Sequence, residues 1–242
     1  MKVALVLTGL MRCYEQAYPS FKQYVLDRYD TDVYIGTWTE IGYYTGKGYL
    51  PPNGEYVKVD PTAKGFHDSG QLVDVTHVMQ LYDPVSLHIE KFSALEPYFD
   101  ALASNYELAL TRPKNTLAQA YKTASGLNLI SADTYELVIR ARPDLVLEGD
   151  PGYFSPDEFL TLPSRNSRGT GTGDSIQIGS EENLFRYANL FELIPRAYDE
   201  IGHSCPHDYA EWIIKKEQLP WREMNVGAHV AHSPRGAYQE PV

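Results

Sequence analysis

Apolar residues gather in short unbroken runs near the start of the chain and at helical spacing between them. Lys2–Leu7 (KVALVL) is such a run, stopped by Thr8-Gly9, and predicts a buried first strand. Near-continuous apolar strands belong to parallel sheets covered on both faces. A helix is predicted over about residues 18–27, with Pro19 in its first turn and Phe21, Tyr24 and Val25 inward. Asp32–Trp38 and Pro84–Glu90 read as further strands. Leu117, Ala120, Tyr121, Ala124 and Leu127 predict a helix over 114–129. Ser180 is placed as the N-cap of another helix, with Glu181 and Glu182 in its first turn and Leu184, Tyr187, Ala188 and Phe191 on one stripe. A last helix is predicted from Pro206 to about Glu217.

The order is βαβ…βαβ through residue 150 and mixed afterwards, with no repeat or linker between. That predicts one α/β domain over 1–242, a mainly parallel, Rossmann-like central sheet flanked by helices, with a mixed half over 151–242. Residues 40–68, rich in Gly and Pro, form a long predicted loop, the kind that usually serves as a lid or binding loop.

Residues 135–148 (YELVIRARPDLVLE) carry the most chemistry. A buried strand begins at Leu137-Val-Ile139, then Arg140, Arg142 and Asp144 occupy alternate positions before the apolar run resumes at Leu145. Alternate side chains of an extended chain share a face, which would set two guanidiniums and a carboxylate in a row. Such groups cost several kcal/mol to bury unless they pair with each other, a metal or a charged ligand. Pro143 cannot donate to a ladder, so the strand breaks or bends there. Two accounts compete: a strand tip delivering charge into a cleft, or an internal Arg–Asp–Arg ion-pair ladder.

Charge narrows the partners. The 242 residues hold 21 basic and 32 acidic side chains, a formal net charge of −11, which disfavours nucleic acid as a partner. One basic pocket can still bind phosphate locally. Two cysteines, Cys13 and Cys205, exclude a disulfide framework and a Cys-rich zinc site. The first apolar run is too short for a signal peptide, and no segment is long enough to span a bilayer, so a soluble, cytoplasmic protein is expected. Nineteen tyrosines, many of them within residues 29–56, suit loop packing better than ring stacking on ligands.

Ligands in open α/β sheets sit beyond the carboxyl ends of the strands. That gathers Thr8–Arg12, Trp38–Glu40 and Arg140–Asp144 around one cleft. Gly9 would permit close backbone approach and Arg12 would clamp a phosphate, although neither a dinucleotide fingerprint nor a Walker loop is present. Trp38 and Glu40 would stack on a base and bond a ribose, or simply pack a loop. Asp174 follows the Gly-rich stretch 169–173 as an acceptor contact or base. Asp208, beside His207 at a predicted helix start and followed by Glu211, would take a hydroxyl proton. His229 and His232 with Asp144 would suit Mn or Mg. Ordinary turn, cap and surface roles compete with each of these.

Several segments together resemble GT-A type glycosyltransferases, and more narrowly the WavE-like sugar transferases of lipopolysaccharide synthesis. They are Val3–Arg12 (strand, then Thr-Gly-x-x-Arg), Tyr18–Phe21, Tyr29–Trp38, Tyr135–Leu145 (Y-x-L-V-I-R-x-R-P-D-L) and Asp174–Gly179. The resemblance implies transfer of a sugar from a nucleotide-sugar donor, bound by residues 1–150, to a glycan or lipid-linked acceptor on the other half. It implies donor contacts from Thr8, Gly9, Arg12, Trp38, Arg140, Arg142 and Asp144, catalytic roles for Asp208 and Asp174, and a divalent metal (Mn or Mg) on Asp144. Where GT-A enzymes carry Asp-x-Asp, this chain has Arg142-Pro-Asp144, so either Asp144 holds the metal with waters or the arginines neutralise the diphosphate directly. A nucleotidyltransferase is the alternative enzyme, though its Gly- and Arg/Lys-rich substrate loop is missing. A non-catalytic sugar- or nucleotide-binding protein is the alternative outside catalysis.

Overall fold

The computed structural model describes residues 1–42, 72–105, 113–163, 172–202, 205–224 and 226–231. Most of the predicted loop 40–68, the glycines at 169 and 171, and His232 lie outside them, as does the side chain of His229.

Val3–Leu7 have no solvent exposure, and the strand that carries them, β1 (Lys2–Gly9), runs between two parallel neighbours, β2 (Asp30–Trp38) and β4 (Leu137–Ala141). β3 (Ser86–Glu90) adds to β2, also in parallel. Past β4 the direction reverses with β7 (Thr172–Gly179) and reverses again with β6 (Phe159–Pro163), which β8 (Trp221–Glu223) follows in parallel. The order among the described residues is β3-β2-β1-β4-β7-β6-β8, the mainly parallel α/β sheet with a mixed half that the sequence predicts.

Strand alternation gives this sheet two apolar faces. Val3, Leu5, Leu7, Ile139 and Ala141 pack under α1 (Tyr14–Phe21), which continues into a π-helical turn over Lys22–Leu26, and near α2 (Val75–Tyr82). Ala4, Val6 and Val138 face α4 (Pro113–Leu127) and its neighbours: α3 (Phe92–Asn105), α5 (Glu181–Ala188), α6 (Leu190–Ile201) and α7 (Pro206–Lys216). Thr8 and Arg140 continue this second face. α4 sits close over β1 because Gly126 has no side chain: a Cβ there would lie 2.3 Å from Thr8 Cγ2.

Two predicted elements change, and a third divides as expected. α1 starts at Tyr14 rather than near Tyr18, leaving Pro19 inside it; Tyr14, Ala17 and Phe21 form its buried stripe, and that burial outweighs the preference of Pro for a first turn. The single helix predicted after Ser180 is two, α5 and α6, although Ser180 does cap the first, its side chain accepting from Asn183 N at 3.2 Å. The strand predicted over 135–148 divides at Pro143, and its second part, β5 (Leu145–Glu148), leaves the main sheet to pair with β9 (Gly227–Val230). No helix among the described residues is long and apolar enough to cross a membrane.

Candidate functional site

β1 and β4 lie side by side with Val6 opposite Arg140 and Leu7 opposite Ala141, so both chains leave the sheet at the same edge. Arg142 N still donates to Ser175 O of β7 at 2.9 Å. Pro143 then offers no N–H, and Leu145 N donates back to Arg142 O at 3.2 Å, closing a turn that redirects the chain into β5. The turn folds Asp144 back against Arg142.

Arg142 grips Asp144 with two nitrogens, Nε to Oδ1 at 3.0 Å and Nη2 to Oδ2 at 2.9 Å. From the loop after β1, Arg12 Nη2 reaches the same Oδ2 at 2.8 Å. Asp144 is buried, while the two arginine side chains keep a little exposure, 11% and 19%. The expected row of Arg140, Arg142 and Asp144 is therefore corrected: the strand ends before it can form, and the second arginine on Asp144 is Arg12. The predicted Arg–Asp–Arg ion cluster exists with that different member.

A divalent metal does not fit the described side chains. No three His, Cys, Asp or Glu residues among them come together to hold an ion. Asp144 could bind one only by releasing guanidiniums that now occupy both of its oxygens.

Arg140 has different company. It has no exposure to speak of, 1%, and donates from Nε to Thr8 Oγ1 at 2.6 Å. Its Nη1 donates to the Asp174 carbonyl at 2.7 Å and to Gln177 Oε1 at 2.9 Å. Nη2 is buried without a partner. Burial pulls the guanidinium down to about 10, yet it stays charged at neutral pH. Arg140 lines a narrow cavity beneath α4, α5 and the start of α7, together with Gln119, Asp174, Tyr187, Leu190 and Tyr209.

Asp174 belongs to both neighbourhoods. Its Oδ2 accepts from Gln119 Nε2 at 2.7 Å, and Oδ1 lies 3.7 Å from His207 Nδ1. Burial pushes its carboxyl up, but His207, Arg142 and Arg140 and the Gln119 hydrogen bond outweigh that and hold it below the usual range. Such a carboxylate is a good hydrogen-bond acceptor and a weak base.

The remaining predicted residues are placed as follows. Thr8 is buried and positions Arg140. Gly9 has φ +118°, a conformation that favours glycine, and its carbonyl accepts from Thr37 Oγ1 at 2.7 Å. Trp38 is in the core rather than a cleft: it is 2% exposed, packs on Phe92 and Tyr121, and has Lys122 Nζ 4.1 Å from its ring centre. It cannot stack on a base from there. Lys122 is itself buried and bonds Glu90 at 2.5 Å. Asp208 is buried in the first turn of α7 and is not among the cavity-lining side chains. Glu211 pairs with Lys215 one turn along the same helix.

Gln119, Tyr187 and Tyr209 went unnoticed in the sequence. Thr116, Gln119 and Thr123 do leave a trace there, as a polar line at spacings of three and four through an otherwise apolar helix face. The tyrosines leave none, since both sit on stripes that read as core.

No family model matches the chain, and no curated protein matches it. Among solved structures, the apo form of mouse xyloside xylosyltransferase 1 superposes over 92% of this chain and 84% of its own, with 6% sequence identity and a TM-score of 0.43. A likeness of that depth decides neither family nor activity.

Proposed function

We propose that the chain is a nucleotide-sugar-dependent glycosyltransferase of GT-A type. One observation carries the reading. The ends of two adjacent parallel strands bring Arg12 and Arg142 together on Asp144 at the carboxyl edge of the sheet, with both guanidiniums still partly exposed. The Thr-Gly-x-x-Arg and Arg-Pro-Asp segments that resemble WavE-like transferases supply those same residues.

In this reading the donor diphosphate lies against Arg12 and Arg142, whose planar guanidiniums suit phosphate oxygens. Asp144 holds both arginines in place. Gly9 and the turn after β1 bring backbone close to the donor. An acceptor hydroxyl on a glycan or lipid-linked sugar attacks the anomeric carbon, and the bond from that carbon to the phosphate oxygen breaks. The nucleoside diphosphate leaves with the bonding electrons, stabilised by the arginines. Asp174 accepts a hydrogen bond from a sugar hydroxyl, and Asp208 is the candidate for the acceptor proton.

The test is a thermal-shift screen of UDP, GDP, dTDP and their sugars, with and without Mn, followed by assay of the best ligand for transfer or hydrolysis. Stabilisation by a nucleoside diphosphate together with release of free diphosphonucleoside from its sugar supports the reading. Binding without turnover across acceptors would leave a sugar- or nucleotide-binding protein of the same architecture. No nucleotide stabilisation at all would remove the proposal.

A further inference from the structure

An acceptor hydroxyl has to lose a proton, and neighbouring side chains at the start of α7 compete for it. Asp208 is 8% exposed, and its place in the first turn of the helix stabilises a carboxylate and weakens it as a base. His207 is 25% exposed and turns its ring toward β7. Its Nδ1 lies 3.0 Å from the Thr172 carbonyl oxygen. A carbonyl only accepts, so Nδ1 carries a proton, and in the neutral ring Nε2 then holds the free lone pair. Nε2 has no hydrogen-bond partner among the described residues and is not one of their buried unpaired polar atoms, so it is open to solvent.

Asp174 supplies the charge that a protonated ring needs. Its Oδ1 lies 3.7 Å from His207 Nδ1, and its Oδ2 is fixed by Gln119. Burial raises its carboxyl, but His207, Arg142, Gln119 and Arg140 outweigh that and keep it ionised at neutral pH. An imidazolium formed by proton uptake at Nε2 therefore has a counter-charge on its Nδ1 side. Of the other acids on this part of α7, Asp208 is buried and Glu211 pairs with Lys215.

Topology puts this pair where a donor held by the arginines needs it. β7 runs antiparallel to β4 with Ile176 opposite Ala141, so Thr172–Ser175 lie beyond the carboxyl end of β4. Arg142 N donates to Ser175 O in that stretch, and His207 rests on Thr172 of the same stretch. Asp174, between them, feels both charges.

We infer that His207 is the general base of the transfer, with Asp174 as its positioning residue. The inference rests on the glycosyltransferase reading and moves the acceptor proton from Asp208 to its neighbour. Nε2 takes the proton as the acceptor oxygen bonds to the anomeric carbon. The bond from that carbon to the donor phosphate oxygen breaks, and the nucleoside diphosphate leaves with the electron pair. The imidazolium then passes its proton to solvent. Attack by an activated hydroxyl opposite the leaving group is a single displacement, so the anomeric centre inverts.

The test uses the full chain and the nucleotide-sugar found by the UDP, GDP and dTDP screen, with transfer to methyl glycosides or to water as the reaction followed. His207→Asn keeps a side-chain N–H for the Thr172 carbonyl and lacks Nε2. It should bind the nucleoside diphosphate as the parent does and lose at least about a hundredfold in kcat, with the donor KM within about twofold. The acid limb of the parent's kcat–pH profile should be missing from the residual activity, a change that a purely structural role would not produce. Asp208→Asn should lose at least about tenfold less than His207→Asn. The first product formed by the parent, read by NMR, should carry the inverted anomeric configuration. Retention overturns the inference, as does an unchanged kcat or acid limb in His207→Asn, or a greater loss in Asp208→Asn. A parent that binds no nucleoside diphosphate, or turns over no donor, overturns the transferase reading and this inference with it. A parent that transfers sugar beside an equally fast His207→Asn overturns this one alone.

Discussion

Arg12 and Asp144 are 132 residues apart in the chain and meet at 2.8 Å, tying the loop after β1 to the turn after β4. Arg142 completes the arrangement from the other side of the carboxylate. Asp144 is thus the anion that lets two arginines approach each other at the edge of the sheet. Its first effect is on the integrity of that edge, and any effect on chemistry passes through the arginines.

Asp144→Asn should therefore destabilise the fold. It removes the carboxylate charge that both largely buried guanidiniums bond, and breaking a buried pair from one side costs about 3–5 kcal/mol. Urea unfolding should show a midpoint shift at unchanged slope. A variant as stable as the parent would mean that the ion cluster contributes nothing to the edge.

Arg12→Ala and Arg142→Ala should each weaken nucleoside diphosphate binding by about 1.5–3 kcal/mol, the range for hydrogen bonds to charged groups. The nucleotide found by thermal shift is the ligand to titrate. Equal affinity in both variants, with melting lowered, would assign the arginines to the fold alone.

Acid should weaken the protein through Asp174. An unfolded Asp titrates near 3.8, and in the folded chain the value is lower, so between the two the unfolded chain binds the extra proton. Stability then rises with pH: the contribution is complete well above 3.8 and is lost as pH falls through the folded value. Unfolding free energies measured from neutral pH downward should fall less steeply below pH 3.8 in Asp174→Asn than in the parent. Identical slopes would show that Asp174 titrates as it does in the unfolded chain.

Gly126→Ala should destabilise by about 1–3 kcal/mol through overpacking against Thr8. The pair Thr8→Ser with Gly126→Ala should recover most of that, because Ser keeps the hydroxyl that accepts from Arg140 and lacks the methyl that clashes. Failure of the second change to rescue would locate the strain elsewhere along α4.

The sequence alone determined the parallel start of the sheet and the break at Pro143. An apolar run such as Val3–Leu7 is stable only with both faces covered, and a residue without an N–H interrupts any ladder, so these follow from local chemistry. It also placed charge at the right strand ends, since Arg12 follows β1 and Arg142 and Asp144 follow β4. Only the tertiary structure decided which charges meet. Alternation suggested Arg140 beside Asp144, but the turn after β4 gave that place to Arg12 and left Arg140 facing the cavity. Trp38 looked like a cleft residue by position, yet helices that sequence reading did not foresee, α3 among them, cover it. Gln119, Tyr187 and Tyr209 come from three separate helices and converge only when those helices pack on one face of the sheet. Periodicity records which side of its own element a residue occupies; long-range packing determines what stands opposite.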